Sequence, residues 1–361
     1  MLFQERTVIV VGAGASCELN LPAGDQLMTK IMQALAPNRN AHGFGNEPIL
    51  QALVAQMTRD HGHGWAALMA RYREAAKKIV TALPYARSID TYLNSQQDDD
   101  HTVLLGKLAI TQAILEAERH SYLRRSNVDQ AGAIDSKGLT ASWYIPLARI
   151  LTSGHRADDI DKLFDNVSFI VFNYDRCLEL FLYRMVVEYF AVDQASAQQA
   201  IGRATIVHAY GSVGDLFKRN GENSTVPFGG GDGVDLEQVA LGIKTYTESA
   251  DEGTTAAIRT LVREAETLVF LGFGFLAQNM DLLDPGEGSG ARRIFATAYN
   301  ISNQDAAAIE HKMVQKFGEV ERVLRLQDLH QGKRRKHFDL TFESGTCRNL
   351  MDNNIFSLAD Q

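Results

Sequence analysis

The sequence has few cysteines, few prolines, no surplus of positive charge and no long apolar run, and each shortage closes a class of function. Its 3 cysteines, Cys17, Cys177 and Cys347, stand far apart, so no CxxC pair, four-thiolate zinc site or disulfide framework can be drawn. That usage points to a reducing, cytoplasmic setting. With 7 Pro among 29 Gly and 45% apolar residues, the composition is globular rather than disordered or collagen-like. Lys plus Arg is 36 against 44 for Asp plus Glu, a net charge of −8. Such a field repels a phosphate backbone, so direct nucleic-acid binding is not expected. No segment approaches the ~20 apolar residues of a membrane span, and no secretory leader is expected from the first residues. The 361 residues suit one large domain with an insertion, or two domains. The basic run Lys333-Arg334-Arg335-Lys336 reads as a solvated loop.

What is present is a series of short β-branched runs. Thr7–Val11 is continuously apolar after its first residue, as a strand buried on both faces requires, and it breaks at Gly12-Ala13-Gly14-Ala15-Ser16. Similar runs lie at 168–172, 205–208, 267–271 and 294–297. Helices are expected over 24–34 and 304–317, and before the 267–271 strand, where Ile258, Leu261, Val262 and Ala265 repeat at i, i+3, i+4 and i+7. This alternation predicts an α/β fold, a Rossmann-like parallel sheet whose ligand site lies beyond the carboxyl ends of the strands. Between the first two strands only helical stretches occur, near 49–57, 64–82, 102–120 and 142–151. Residues 37–159 therefore read as an inserted all-α subdomain covering that edge. The sheet domain then takes 1–36 and 160–330, and 331–361 is a C-terminal tail. Two glycine-rich segments, 229–233 and 285–290, read as loops.

Four strand ends carry candidate chemistry. Gly12-Ala13-Gly14-Ala15-Ser16 offers backbone N–H groups at a helix start, where phosphate oxygens can approach, or forms a tight turn that holds no ligand. It is not a full GxGxxG fingerprint, because Cys17 fills the third glycine position. In Phe172-Asn173-Tyr174-Asp175 an amide and a carboxylate two residues apart can share a face and bind a ribose diol, or can cap the following helix. His208, opening His208-Ala209-Tyr210-Gly211-Ser212, can act as a base near neutral pH or serve structure alone. Gly272-Phe273-Gly274, with Asn279 and Asp281 beyond, lets the backbone approach a dinucleotide or simply turn. The pair His61 and His63 has no third metal ligand at a suitable spacing and reads as surface loop.

In this order the four strings resemble the sirtuin superfamily, and most closely the sirtuin-like domains of bacterial anti-phage defence systems. Leu21-Pro22-Ala23-Gly24 and Ser88-Ile89-Asp90-Thr91-Tyr92-Leu93 carry the resemblance further, and it spans roughly residues 5–300. It implies that Gly12, Ala13, Gly14 and Ser16 hold the NAD pyrophosphate, and that Asn173 and Asp175 bind the nicotinamide ribose and orient a water. His208 is then the catalytic base, and Tyr174, Gly211, Gly272, Phe273 and Gly274 complete the NAD-binding surface. The implied activity is that of an NAD+ glycohydrolase, with NAD as substrate, no metal, and depletion of NAD in prokaryotic defence as its setting. A homo-oligomer is implied, as is a separate activating protein such as a HerA-type ATPase, with neither membrane nor nucleic acid as partner. The alternatives are an NAD- or ADP-ribose-binding oligomeric subunit and a protein deacylase. Deacylating sirtuins carry a four-cysteine zinc module that three scattered cysteines cannot build. The chemistry suits the residues: departure of nicotinamide leaves a ribosyl oxocarbenium ion, which an amide, a carboxylate and a base can stabilise and quench with water, each effect worth about 10²–10⁴-fold.

Overall fold

The computed structural model describes residues 2–37, 46–60, 65–124, 136–217, 225–249, 252–286, 289–317 and 339–359. His61, His63, Lys333-Arg334-Arg335-Lys336 and part of the 285–290 loop lie outside the described residues.

β1 (Thr7–Val11), β2 (Val167–Val171), β3 (Thr205–His208), β4 (Thr267–Leu271), β5 (Arg293–Thr297) and β6 (Asp339–Glu343) pair in parallel throughout. They form a 6-stranded sheet in the order β3-β2-β1-β4-β5-β6. This is a Rossmann-like α/β fold: the chain runs outward from β1 through β2 and β3, then returns to lay β4, β5 and β6 on the other side. The direction reverses between β1 and β4, and the crevice beyond the carboxyl ends of those strands is where such sheets take ligands.

An all-parallel sheet must be covered on both faces, and the side-chain alternation of the strands divides the core accordingly. Val8, Val10, Ile170, Phe172, Leu268, Phe270 and Ile294 pack with the helices Gly24–Leu35, Glu47–Asp60, Trp65–Ala82 and Asp100–Arg119. Ile9, Val11, Phe169, Val171, Val269 and Leu271 face the opposite way, toward Tyr144–Thr152, Cys177–Phe190 and Cys347–Asn353. The regular elements of the insertion between β1 and β2 are all helices among the described residues. Its apolar side chains join the same core as the sheet rather than enclosing one of their own.

The stretch 331–361, read as a tail, supplies β6 and two helices, Cys347–Asn353 and Ile355–Ala359. Asp339-Leu340-Thr341-Phe342-Glu343 alternates polar and apolar residues because it is a half-exposed edge strand, and so lacks the continuous apolar signature of the buried strands. No described helix is long and apolar enough to cross a membrane.

Helix Asp100–Arg119 sits deep, with Lys107, Thr111, Gln112 and Glu118 buried beside its apolar residues. Buried charges need partners. Lys107 Nζ meets Glu248 Oε2 at 2.8 Å, and Glu118 meets Arg176, just beyond β2.

Candidate active site

Each strand bordering the crevice stops where glycine or a polar residue ends its apolar run. After β1, Gly12 precedes a single helical turn, Ala13–Ser16. After β2 come Phe172, Asn173, Tyr174 and Asp175, and then helix Cys177–Phe190. Sequence reasoning allowed two uses for Asn173 and Asp175, and the geometry divides them. Asp175 Oδ1 accepts from the Cys177 N–H at 3.1 Å, a helix-start contact. Asn173 caps nothing: its Nδ2 donates backward to Gly12 O at 3.0 Å and to Ser16 Oγ at 2.7 Å. Ser16 Oγ in turn donates to Asp175 Oδ2 at 2.9 Å. The shared face expected of positions i and i+2 is realised, since both side chains converge on Ser16.

All three residues are buried, Asn173 and Asp175 each at 6% exposure and Ser16 at 2%. Burial raises the Asp175 carboxyl above its ordinary range, opposed by the Cys177 N–H and the Ser16 hydroxyl. Asn173 Oδ1 is buried with no hydrogen-bond partner. A buried amide oxygen normally finds a donor, and failure to do so at a strand end marks a place where a ligand or water group is expected.

Ala13, Asn173, Tyr174 and Asp175 line a cavity of about 80 Å³, closed from the insertion's side by Ser88, Ile89, Asp90 and Ile114. Tyr174 Oη donates to Asp90 Oδ1, and burial raises the Asp90 carboxyl. The string Ser88-Ile89-Asp90-Thr91 thus acquires a local reason: the Ser88 hydroxyl accepts from the Thr91 N–H at 3.1 Å, starting helix Ile89–Ser95 so that Asp90 meets Tyr174. Asp90, Asn173 and Asp175 are among the residues lining the cavity, and no Lys, Arg or His is among the described residues around it. Such a lining favours a cation over a phosphate.

The glycines serve a different end. Gly12 N–H donates to Leu271 O at 2.9 Å, Gly14 N–H to Gly272 O at 3.0 Å, and Ala15 N–H to Gly12 O at 2.9 Å. These three amides, expected to cradle phosphate, are used inside the protein. Gly272 has φ +57, and a Cβ there would sit 2.0 Å from Ala15 N, while one on Gly12 would sit 2.5 Å from Gly272 O. The loops after β1 and β4 therefore cross backbone to backbone, which only glycine permits. Phe273 is core, packed on Phe172 with ring centroids 5.0 Å apart. Gly211, φ +73, fits against Gly242 O in another close crossing. Gly274 alone of this set has open space around its Cβ position.

His208 ends β3 with both ring nitrogens engaged: Nδ1 lies 3.0 Å from Asn173 O, and Nε2 2.6 Å from Glu179 Oε1. A main-chain carbonyl only accepts, so Nδ1 carries a proton. Burial alone would lower the imidazole, but the Glu179 carboxylate raises it above its ordinary 6.5. Burial would likewise raise Glu179, yet His208 and Arg176 hold it below its ordinary 4.5. With both ring nitrogens engaged, His208 has no free nitrogen in this arrangement to accept a proton from water.

Sequence reasoning missed Glu179 and the pair Glu118–Arg176. Arg176 and Glu118 are 1% and 0% exposed. The Arg176 main-chain N–H and guanidinium both reach Glu118, and the guanidinium continues to the carbonyls of Val226 and Pro227. Glu118 also accepts from Gly229 N–H at 2.8 Å, tying the glycine-rich 229–233 loop to the insertion. In the sequence Glu179 is only an acid in a helix's first turn, a common dipole-stabilising position. A larger cavity, about 820 Å³, lies beside β3 and is lined by Arg176, Glu179, Arg203 and Phe217, but by none of the residues singled out from sequence. Among the described residues no group of three or more His, Cys, Asp or Glu is placed to hold a metal ion. Compared with protein-family models and with curated proteins, the chain matches no family model and no curated protein.

Proposed function

We propose that this protein is an NAD+ glycohydrolase that breaks the bond between nicotinamide and ribose and passes the ribosyl carbon to water. The observation that carries the reading is the buried, unpartnered Oδ1 of Asn173, a residue that lines a cavity with Asp90 and Asp175 and without a cationic side chain. The reacting sugar is the cationic part of the substrate on the way to its oxocarbenium ion, and fixed acceptors stabilise such charge without reorganising. In this reading Asn173 Oδ1 accepts from the attacking water or a ribose hydroxyl. Asp175, held by Ser16, supplies negative charge. Tyr174 and Asp90 close the side toward the insertion. The β1–β4 crossing fixes the cleft floor, and Gly274 leaves room for the remainder of the dinucleotide.

A cavity of about 80 Å³ is small against the 300–1,000 Å³ of ordinary ligand sites, so NAD enters only if the insertion draws back from Tyr174. This favours an enzyme that is slow alone and faster in an assembly. A defence setting, a homo-oligomer and an activating ATPase rest on the sequence resemblance alone. Incubation of the purified chain with NAD+, with and without an acyl-lysine peptide, separates the readings. Nicotinamide with free ADP-ribose supports the hydrolase. NAD binding without either product supports a binding subunit, and an O-acyl product formed only with peptide supports a deacylase.

A further inference from the structure

We propose that Glu179 is a positioning residue for this reaction, acting through His208 to fix Asn173. The proposal rests on the NAD-cleaving reading above. Asn173 is held at both ends: its side chain by Gly12 O and Ser16, its main-chain carbonyl by His208 Nδ1–H. The far side of the imidazole is anchored by Glu179 Oε1 at 2.6 Å. The direction of the open Asn173 oxygen is therefore set through a bridge running from helix Cys177–Phe190 across β3 to the end of β2.

A second observation falls on the same bridge. Among the described residues, the buried side-chain polar atoms without a partner are Asn173 Oδ1 and Glu179 Oε2, one at each end. A purely structural ion pair is expected to satisfy both carboxylate oxygens. Leaving one open beside the imidazole costs stability, and it gives the carboxylate capacity to accept a further hydrogen bond while still holding His208.

The titratable and charged groups facing the pair come from two elements, the connection after β2 and helix Tyr144–Thr152. Asp175, beyond β2, adds to the rise at His208, and Arg176, ahead of the helix, helps hold Glu179 ionised. The phenol of Tyr144, on helix Tyr144–Thr152, is raised well above its ordinary value by burial and stays neutral. Glu179 therefore holds the His208 proton to higher pH than an ordinary imidazole would keep it.

The test uses the full chain as Glu179→Gln and Glu179→Asp. The His208 ring resonances are titrated by NMR, and nicotinamide release is followed against pH at saturating and limiting NAD+. In the wild type His208 should titrate above 6.5. In Glu179→Gln it should fall back toward that value, with the pH–rate profile moving the same way and kcat dropping about 10-fold or more at nearly unchanged KM. Glu179→Asp, which keeps the charge, should recover the titration and most of the rate, and it serves as the readable variant should Glu179→Gln fail to fold. A wild-type rate and pH profile in folded Glu179→Gln would overturn the proposal and leave NAD cleavage standing. If the wild type itself releases no nicotinamide, the reading of the reaction fails and the proposal goes with it.

Discussion

The two sides of the crevice are built from opposite materials. Where β1 meets β2, the strand ends are joined by side-chain hydrogen bonds among Ser16, Asn173 and Asp175, with one acceptor left open. Where β1 meets β4, they are joined by backbone contact at Gly12, Gly14 and Gly272 and by the rings of Phe172, Phe270 and Phe273. The apolar side is a hinge pin that sets where the polar side stands. The same glycine-rich signal can therefore mean close packing rather than phosphate binding, and its hydrogen-bond ledger decides between them.

The comparison breaks most severely if the polar side loses its buried support. Glu118→Ala leaves the Arg176 guanidinium buried without its carboxylate, and it should cost about 3–5 kcal/mol by denaturant unfolding. On the apolar side, Gly272→Ala places a Cβ within 2.0 Å of Ala15 N at a positive φ. It should cost about 2–4 kcal/mol through strain and overpacking, with NAD cleavage falling only as the folded fraction falls.

The pH dependence of stability sharpens the polar side. His208 is raised above its ordinary 6.5, so its contribution is full below that pH and is lost as pH rises through the folded value. Glu179 is lowered beneath its ordinary 4.5, so its contribution is present above that pH and is lost as pH falls further. The stability difference between wild type and Glu179→Gln should be greatest between 4.5 and 6.5. It should shrink on the alkaline side as His208 loses its proton, read from chemical melts across pH.

The smallest expected effect is at Gly274, two residues from Gly272. Its Cβ position is open, so Gly274→Ala should leave stability within about 0.5 kcal/mol while weakening NAD affinity a few-fold. Equal destabilisation at 272 and 274 would dissolve the distinction between packing and ligand-facing glycines.

What the sequence discloses follows the same divide. Buried strands announce themselves as continuous apolar runs, so β1, β4 and the β2 region are legible to within a residue, and the helical character of the insertion is legible too, though its helix ends shift by two or three residues and the short helix Ile89–Ser95 gives no periodic signal. β6 is not, because an edge strand alternates and exposes part of each residue. The meeting of Asn173 and Asp175 at one place follows from period-two geometry. Their common partner Ser16 lies about 160 residues away in sequence, a pairing that only the fold makes. Glu179 and Glu118 carry no local pattern, since their roles exist only once β3 and the buried helix bring His208 and Arg176 to them.

The central claim is that the open Asn173 oxygen takes part in cleaving NAD. It is tested most directly by nicotinamide release in a single turnover, with the chain in excess over NAD+ so that a slow enzyme still registers. Wild type should convert the bound NAD+ to nicotinamide and ADP-ribose. Folded Asn173→Ala, destabilised by about 1–3 kcal/mol for its lost hydrogen bonds, should do so at least ~10²-fold more slowly. Equal rates in the two proteins, or no nicotinamide from either, would contradict it.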